Sequence, residues 1–265
     1  MTPISIYQVD AFTEALFSGN PAAICMMDFD LPDQVLQSIA AENNLAETAY
    51  VWQTREGFKI RWFTPTIEVD LCGHATLAAA YVIFSLHRAE GSKIKFDSRS
   101  GPLYVTQKAD NTLELDFPAD VFYPVTTPDL IEAALGCTII ESIKGKSDYL
   151  VRIINESTLV SLKPDFSLIK RLPARGLIVT APGDTIDFVS RCFFPQSGID
   201  EDPVTGSAHT TLTPFWASKL GKTDFVARQV SSRGGDLYCV LKGDRVLIGG
   251  HAVLYLEGHI FVKPA

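Results

Sequence analysis

Short runs in which apolar and polar residues alternate dominate the chain. Ile4–Val9, Thr48–Gln53, Phe58–Phe63, Leu103–Gln107 and Thr112–Phe117 alternate with the period of a half-buried strand. Lys108-Ala109-Asp110-Asn111 predicts a tight turn that joins the last two into a hairpin. The second half repeats the theme at Phe188–Phe194, Leu237–Leu241 and Arg245–Gly249. Helical spacing with a single apolar face marks Pro32–Glu42 and Pro128–Leu135, the latter stopped by Gly136. Two further stretches differ in kind. His74–Arg88 and Ser207–Leu220, the latter stopped by Gly221, are apolar on nearly every face. A helix apolar all round must be covered all round, so each is expected inside a wrap of strands. Pro214 in the second removes a helical hydrogen bond and predicts a kink.

The pattern occurs twice. Ser98, Arg99, Gly101, Leu103, Tyr104, Lys108, Asp110 and Leu113 return 134 residues on as Ser232, Arg233, Gly235, Leu237, Tyr238, Lys242, Asp244 and Leu247. Upstream, Phe58, Arg61, Phe63 and Pro65 return 130 residues on as Phe188, Arg191, Phe193 and Pro195. Between these echoes, Cys72-Gly73-His74-Ala75 answers to Thr205-Gly206-Ser207-Ala208. A period this long is not a solenoid repeat. It predicts an α+β protein of two pseudo-symmetric halves, each a curved antiparallel sheet or barrel around a buried central helix. The halves are expected at 1–120 and 121–265, with the C-terminal strand as a candidate to cross back and Pro118, Pro124 and Pro128 bracketing the linker. Clefts between such halves are where small molecules usually bind.

Composition narrows the partners. The chain has 265 residues, of which 46% are hydrophobic and 20% charged, as in a soluble globular protein. A net charge of −8 disfavours a general nucleic-acid or anionic-membrane surface. The most apolar stretch, Ala75–Leu86, is too short to span a bilayer. No basic run followed by an apolar core opens the chain, so no signal peptide is expected. Five cysteines, at 25, 72, 137, 192 and 239, form no C-x-x-C pair and fit reduced thiols in the cytoplasm.

Candidate chemistry gathers at the two helix starts. Gly73 and Gly206 open the buried helices at equivalent positions, and backbone N–H groups there attract anions. A small anionic metabolite is therefore the expected partner, although plain helix caps fit the same residues. Glu47 is flanked by Leu45, Ala46, Ala49 and Tyr50. Counting eleven residues back from Phe58 and Phe188 sets it opposite Leu177. Apolar surroundings would raise its pKa and suit a general acid/base, while an edge-strand glutamate facing water fits equally. Asp202, ahead of Pro203, is the other candidate carboxylate, or a turn former. Cys72 at a helix start could be an activated thiolate or a small buried hydrophobe. His209 reads as a core histidine. Cys72, His74, Asp202 and His209 match no metal-ligand spacing, so no metal is expected. No G-x-G-x-x-G or Walker sequence occurs, so no nucleotide cofactor is implied.

Several ordered motifs carry a family resemblance: Val9-Asp10-Ala11-Phe12 followed by Gly19-Asn20-Pro21, then Glu47-Thr48-Ala49-Tyr50-Val51, Asp70-Leu71-Cys72-Gly73-His74-Ala75-Thr76 and Asp200-Glu201-Asp202-Pro203-Val204-Thr205-Gly206-Ser207-Ala208-His209. Over essentially the whole chain the sequence resembles the PhzF-like family of phenazine-biosynthesis isomerases, whose fold is similar to diaminopimelate epimerase. The resemblance implies a cofactor-independent isomerase that moves a proton on a small, carboxylate-bearing substrate, and a homodimer. It places the acid/base glutamate at Glu47, its supporting histidine at His74, an aspartate at Asp202 and a serine at Ser207. Gly73 falls where the backbone lines the site; Gly206 and Cys72 are read as substrate-binding residues from their own places at the two helix starts. Two alternatives remain: an amino-acid racemase or epimerase using Cys72, which has Thr205 rather than a second cysteine opposite it, and a non-catalytic metabolite-binding member.

Overall fold

The computed structural model describes residues 1–263. The chain divides into two compact units, one formed by Met1–Asp116 with the segment from Gly249 onward, the other by Phe117–Ile248. The first half supplies β1 (Thr2–Ala11), β2 (Asn20–Met27), α1 (Asp33–Asn43), β3 (Glu47–Thr54), β4 (Gly57–Phe63), β5 (Glu68–Val69), α2 (Gly73–Ser85), β6 (Lys93–Ser98), β7 (Gly101–Gln107) and β8 (Leu113–Pro118). The second supplies β9 (Tyr123–Pro124), α3 (Asp129–Leu135), β10 (Glu141–Lys144), β11 (Tyr149–Arg152), α4 (Glu156–Ser161), α5 (Phe166–Ile169), β12 (Leu177–Pro182), β13 (Phe188–Phe194) and β14 (Ile199–Asp202). It continues through a 3₁₀ turn at Gly206–Ala208, α6 (His209–Leu220), β15 (Asp224–Gln229), β16 (Gly235–Lys242) and β17 (Arg245–Gly250) to β18 (Ala252–Val262).

The duplication is a duplication of strand pairing. In the first unit β1–β2 is antiparallel, β2–β3 parallel, β3–β4 antiparallel, β4–β6 parallel and β6–β7 antiparallel. In the second, β10–β11, β11–β12, β12–β13, β13–β15 and β15–β16 run through the same series of senses. Two parallel pairings per unit refine the antiparallel sheet expected from sequence. Parallel neighbours need a crossover, and helices supply each one: α1 and α2 in the first unit, α4 with α5 and then α6 in the second. β18, from the end of the 121–265 stretch, pairs with β1 from Ala11↔Ala252 to Thr2↔Val262.

Both all-round apolar helices are covered. Nine of the 13 residues of α2 are buried, and it lies against β1, β2, β3, β7 and β18. Six of the 12 residues of α6 are buried, including Phe215 and Trp216. The helix expected at Ser207 begins as the 3₁₀ turn and becomes α-helical only at His209. It then runs through Pro214 to Leu220. Pro214 has no N–H to offer the carbonyl of Thr210, and the Asp120 N–H donates to that oxygen instead, at 3.0 Å. The Asp120 carboxylate also accepts from Thr211 Oγ1 at 2.7 Å, so a linker residue restores what the proline removes.

Register corrects one symmetry argument. β3 pairs with β4 through Thr48↔Phe63, and β12 with β13 through Leu177↔Phe193. Phe63 answers to Phe193, so Leu177 answers to Thr48 and the counterpart of Glu47 is Gly176. The count along the chain slips by one because the β12–β13 connection is a residue longer. Gly176 is tightly enclosed: a Cβ there would lie 2.2 Å from Phe194 Cδ1 and 2.5 Å from the Phe193 carbonyl oxygen.

Candidate active site

The first unit brings together three of the residues expected from sequence and one that was not assigned. Glu47 opens β3, and Cys72 caps α2 in an extended conformation just before Gly73 and His74. Strand alternation turns Tyr50 away from Glu47. Tyr50 packs in the cluster around α1 and donates to the Leu36 carbonyl at 2.6 Å. The side chain that faces Glu47 is His74, whose Nε2 lies 3.2 Å from Glu47 Oε2. The two atoms are close enough to pair electrostatically but off the axis of a hydrogen bond. Both are buried, and neither has a hydrogen-bond partner among the described residues. Each atom's close partner is the other, which sets this acid/base pair apart from the hydrogen-bond network of the rest of the protein.

The other edge of the imidazole is occupied. Nδ1 lies 3.2 Å from Asn20 Nδ2 and 3.6 Å from Cys72 Sγ. Asn20, fully buried at the start of β2, is the member of the Gly19-Asn20-Pro21 motif that sequence reading left without a role. The Asn20 amide answers to the charge on the ring. A neutral ring accepts from the amide N–H, and a charged ring donates to the amide oxygen. Burial works against a charge on His74, while the Cys72 sulfur and the Glu47 carboxylate work for it and prevail, holding the ring well above the usual imidazole range. Burial, then the charge of Glu47, pushes the Cys72 thiol up to about 11. Of the two readings of Cys72, this favours the small buried hydrophobe over the activated thiolate: desolvation at a buried sulfur outweighs the dipole. At neutral pH the ring carries its proton and the thiol is neutral.

Glu47, Cys72 and His74 have ligand atoms within 4.8 Å of one another. The sulfur faces Nδ1 and the carboxylate faces Nε2, on different edges of one ring, so a single ion cannot take both along the ring's lone-pair directions. The donor set suits proton handling better than coordination.

The second unit holds Asp202, Gly206 and Ser207. Asp202 is buried at the end of β14, where its Oδ2 accepts a short hydrogen bond from Thr205 Oγ1. Gln229 fastens this turn: its Nε2 donates to the Asp202 carbonyl at 2.6 Å, and its Oε1 accepts from the Thr205 N–H at 2.9 Å. The Thr205 hydroxyl, opposite Cys72 in the duplication, is thus committed to a carboxylate. Ser207 lies on the 3₁₀ turn with Arg175 Nη2 3.3 Å from its Oγ. His209 is a core histidine, as read from sequence. It is fully buried, stacked on Phe188 with centroids 6.0 Å apart, and its Nδ1 lies 2.9 Å from the Thr205 carbonyl. Arg175 and Gln229 were missed because Pro173-Ala174-Arg175-Gly176 and the end of β15 carry no motif. Only the strand register, laid on the duplication, points to Arg175.

Comparison with known proteins identifies the family. The model of a phenazine biosynthesis-like protein family, PhzC-PhzF, matches residues 9–258. The chain belongs to this family. An uncharacterized isomerase of Pseudomonas aeruginosa is 49% identical over 97% of this chain and 98% of its own length. The crystal structure of a PhzF-family protein from Enterococcus faecalis, 46% identical, superposes with a TM-score of 0.96 over 98% of this chain and all of its own. A hydroxyproline epimerase from Agrobacterium vitis, 8% identical, shares the fold at a TM-score of 0.63 over 97% of this chain and 92% of that one. The epimerase-like architecture of two similar halves is thus borne out, and the chain is an isomerase of the PhzF family. No helix of the described residues is long and apolar enough to cross a membrane.

Proposed function

We propose that this protein is a cofactor-independent isomerase that moves a proton between carbons of a small, cyclic, carboxylate-bearing metabolite, with Glu47 as the acid/base. The observation that carries the reading is the buried, hydrogen-bond-unsatisfied pair of Glu47 Oε2 and His74 Nε2. In the proposed step the Glu47 carboxylate takes a proton from carbon, and the electron pair of that C–H bond moves toward the substrate's conjugated oxygen. The protonated Glu47 then returns the proton to another carbon on the same face. His74, charged and held by Asn20, steadies the Glu47 carboxylate between these steps. Backbone N–H groups at Gly73 and Gly206 receive the developing negative oxygen. Asp202 and Ser207 orient the substrate.

The racemase alternative needs two thiolates. Cys72 remains a thiol up to about 11, and its counterpart is a threonine bonded to Asp202. A solely binding role gives no reason to set a buried acid/base pair apart from the hydrogen-bond network. All five cysteines are free, which fits a reducing cytoplasm, and we carry the homodimer as part of the proposal. The test is a thermal-shift screen of small cyclic carboxylates followed by NMR of each hit in D2O. A ligand at ~100 times its dissociation constant raises stability by roughly 2.7 kcal/mol. The expected result is enzyme-dependent deuteration at one or two ring carbons. Hits that bind tightly yet never exchange a carbon-bound proton would favour the binding-only reading.

A further inference from the structure

We propose that Arg175, clamped beside Ser207, is the residue that docks the substrate's carboxylate. The proposal rests on the isomerase reading above and names the group that substrate must carry.

The clamp is built from three sides. Asp148, itself buried, engages both Nε and Nη2 of the guanidinium and fixes its plane. The Phe194 ring lies against its face, with Cζ 4.9 Å from the centroid. Phe194 reaches that position because residue 176 is glycine, since any Cβ there would occupy the space of the ring. On the remaining side, Nη2 points at Ser207 Oγ and Nη1 has no hydrogen-bond partner among the described residues. The side chain is 42% exposed despite being held at both Nε and Nη2. An arginine used only as a structural strut would not keep a fork edge open beside a serine at a helix start. Asp148 cancels the charge at long range, so what remains is short-range, directional donation. A planar carboxylate matches that donation with two oxygens on Nη1 and Nη2 and accepts a third bond from the Ser207 hydroxyl.

The duplication supports the assignment independently. Ser207 answers to His74, and by strand register Gly176 answers to Glu47, which places Arg175 one residue away from the equivalent position. Each unit thus sets one charged side chain, Glu47 at the start of β3 and Arg175 just ahead of β12, beside the same position at the start of its buried helix. In the first unit it is a carboxylate on an imidazole at 3.2 Å. In the second it is a guanidinium on a serine hydroxyl at 3.3 Å. One half has become a proton carrier and the other an anion holder.

The test titrates the full-length protein with benzoate and with its neutral counterpart benzamide by calorimetry. Saturable binding of benzoate but not of benzamide is expected. Arg175→Gln should weaken benzoate binding by about tenfold or more, and Arg175→Lys, which keeps the charge but not the fork, should fall between. Ser207→Ala leaves the Asp148 pair untouched and should weaken it by about threefold, which keeps the question decidable if Arg175→Gln fails to fold. Benzoate bound equally by wild type and Arg175→Gln, benzamide bound as well as benzoate, or no saturable benzoate binding would each overturn the assignment. The isomerase reading fails separately. If Arg175→Gln were silent while Glu47→Gln stopped proton exchange, only the anchor would fall. If benzoate binding depended on Arg175 while Glu47→Gln exchanged normally, the anchor would stand and the acid/base role would fall.

Discussion

Lowering the pH from about 7 to about 4 is expected to remove about 3 kcal/mol of stability through His209 alone. The ring donates from Nδ1 to the Thr205 carbonyl, and its Nε2 is buried with no partner among the described residues. A proton added at Nε2 would be a charge with nothing to receive it. Burial, opposed only by the bond to Thr205, lowers the pKa to about 4. In the unfolded chain the ring titrates near ~6.5. Between those values the unfolded state holds a proton that the folded state does not, so stability falls as pH falls through the window and is unaffected above it. For a protein with a typical stability of ~5–15 kcal/mol this is a large share. Urea unfolding of wild type and His209→Gln at pH 7, 5.5 and 4.5 checks it. The variant starts less stable, and the gap should close as pH drops. Parallel slopes for the two proteins would contradict the assignment.

Gly19→Ala is expected to cost about 2–5 kcal/mol, combining left-handed backbone strain with overpacking. Gly19 has φ +66°, and a Cβ there would lie 2.2 Å from the Ala11 carbonyl oxygen and 2.7 Å from Thr13 Cγ2. The nearer atom is backbone in β1, so the strand itself must move. The next residue is Asn20, which pairs with Ala11 across β1–β2 and holds His74 Nδ1. The same substitution should therefore lower turnover of the folded fraction as well as the melting temperature. Thermal unfolding with a parallel assay below the transition separates the two effects. A variant that melts like wild type would show that the turn tolerates a side chain.

The fold was legible wherever a pattern repeated. β13 matches the expected Phe188–Phe194 residue for residue, and the two covered helices follow from their uniformly apolar faces. β2 and β12 escaped notice because both are buried along nearly their whole length and do not alternate. Pro214 misled because the compensating donor, Asp120, lies far away in sequence, ahead of the second unit's first strand. At the site, the motif residues Glu47, His74, Asp202 and Ser207 were legible as types at fixed spacings. Their partners were not. That His74 sits between Glu47 and Asn20, or that Asp148 and Phe194 clamp Arg175, depends on strand register, and a slip of one residue sent the comparison to Leu177 instead of Gly176. Tyr50 shows the same limit, since adjacency in sequence placed it beside Glu47 and strand alternation put it on the opposite face.

The central claim is that the migrating proton passes through Glu47. Its most direct test is the rate at which solvent deuterium enters the carbon framework of a substrate in wild type, Glu47→Gln and Asp202→Asn. Glutamine keeps the shape and hydrogen bonding of Glu47 but cannot accept the proton, and general acid/base groups contribute ~10²–10⁴-fold in rate. Glu47→Gln should bind the substrate within about threefold of wild type, melt near the same temperature and incorporate deuterium at least roughly a hundredfold more slowly. Asp202→Asn should lose affinity first, because its role is orientation. Deuterium entering at the wild-type rate in Glu47→Gln, with none entering in Asp202→Asn, would move the acid/base role to Asp202 and contradict the account.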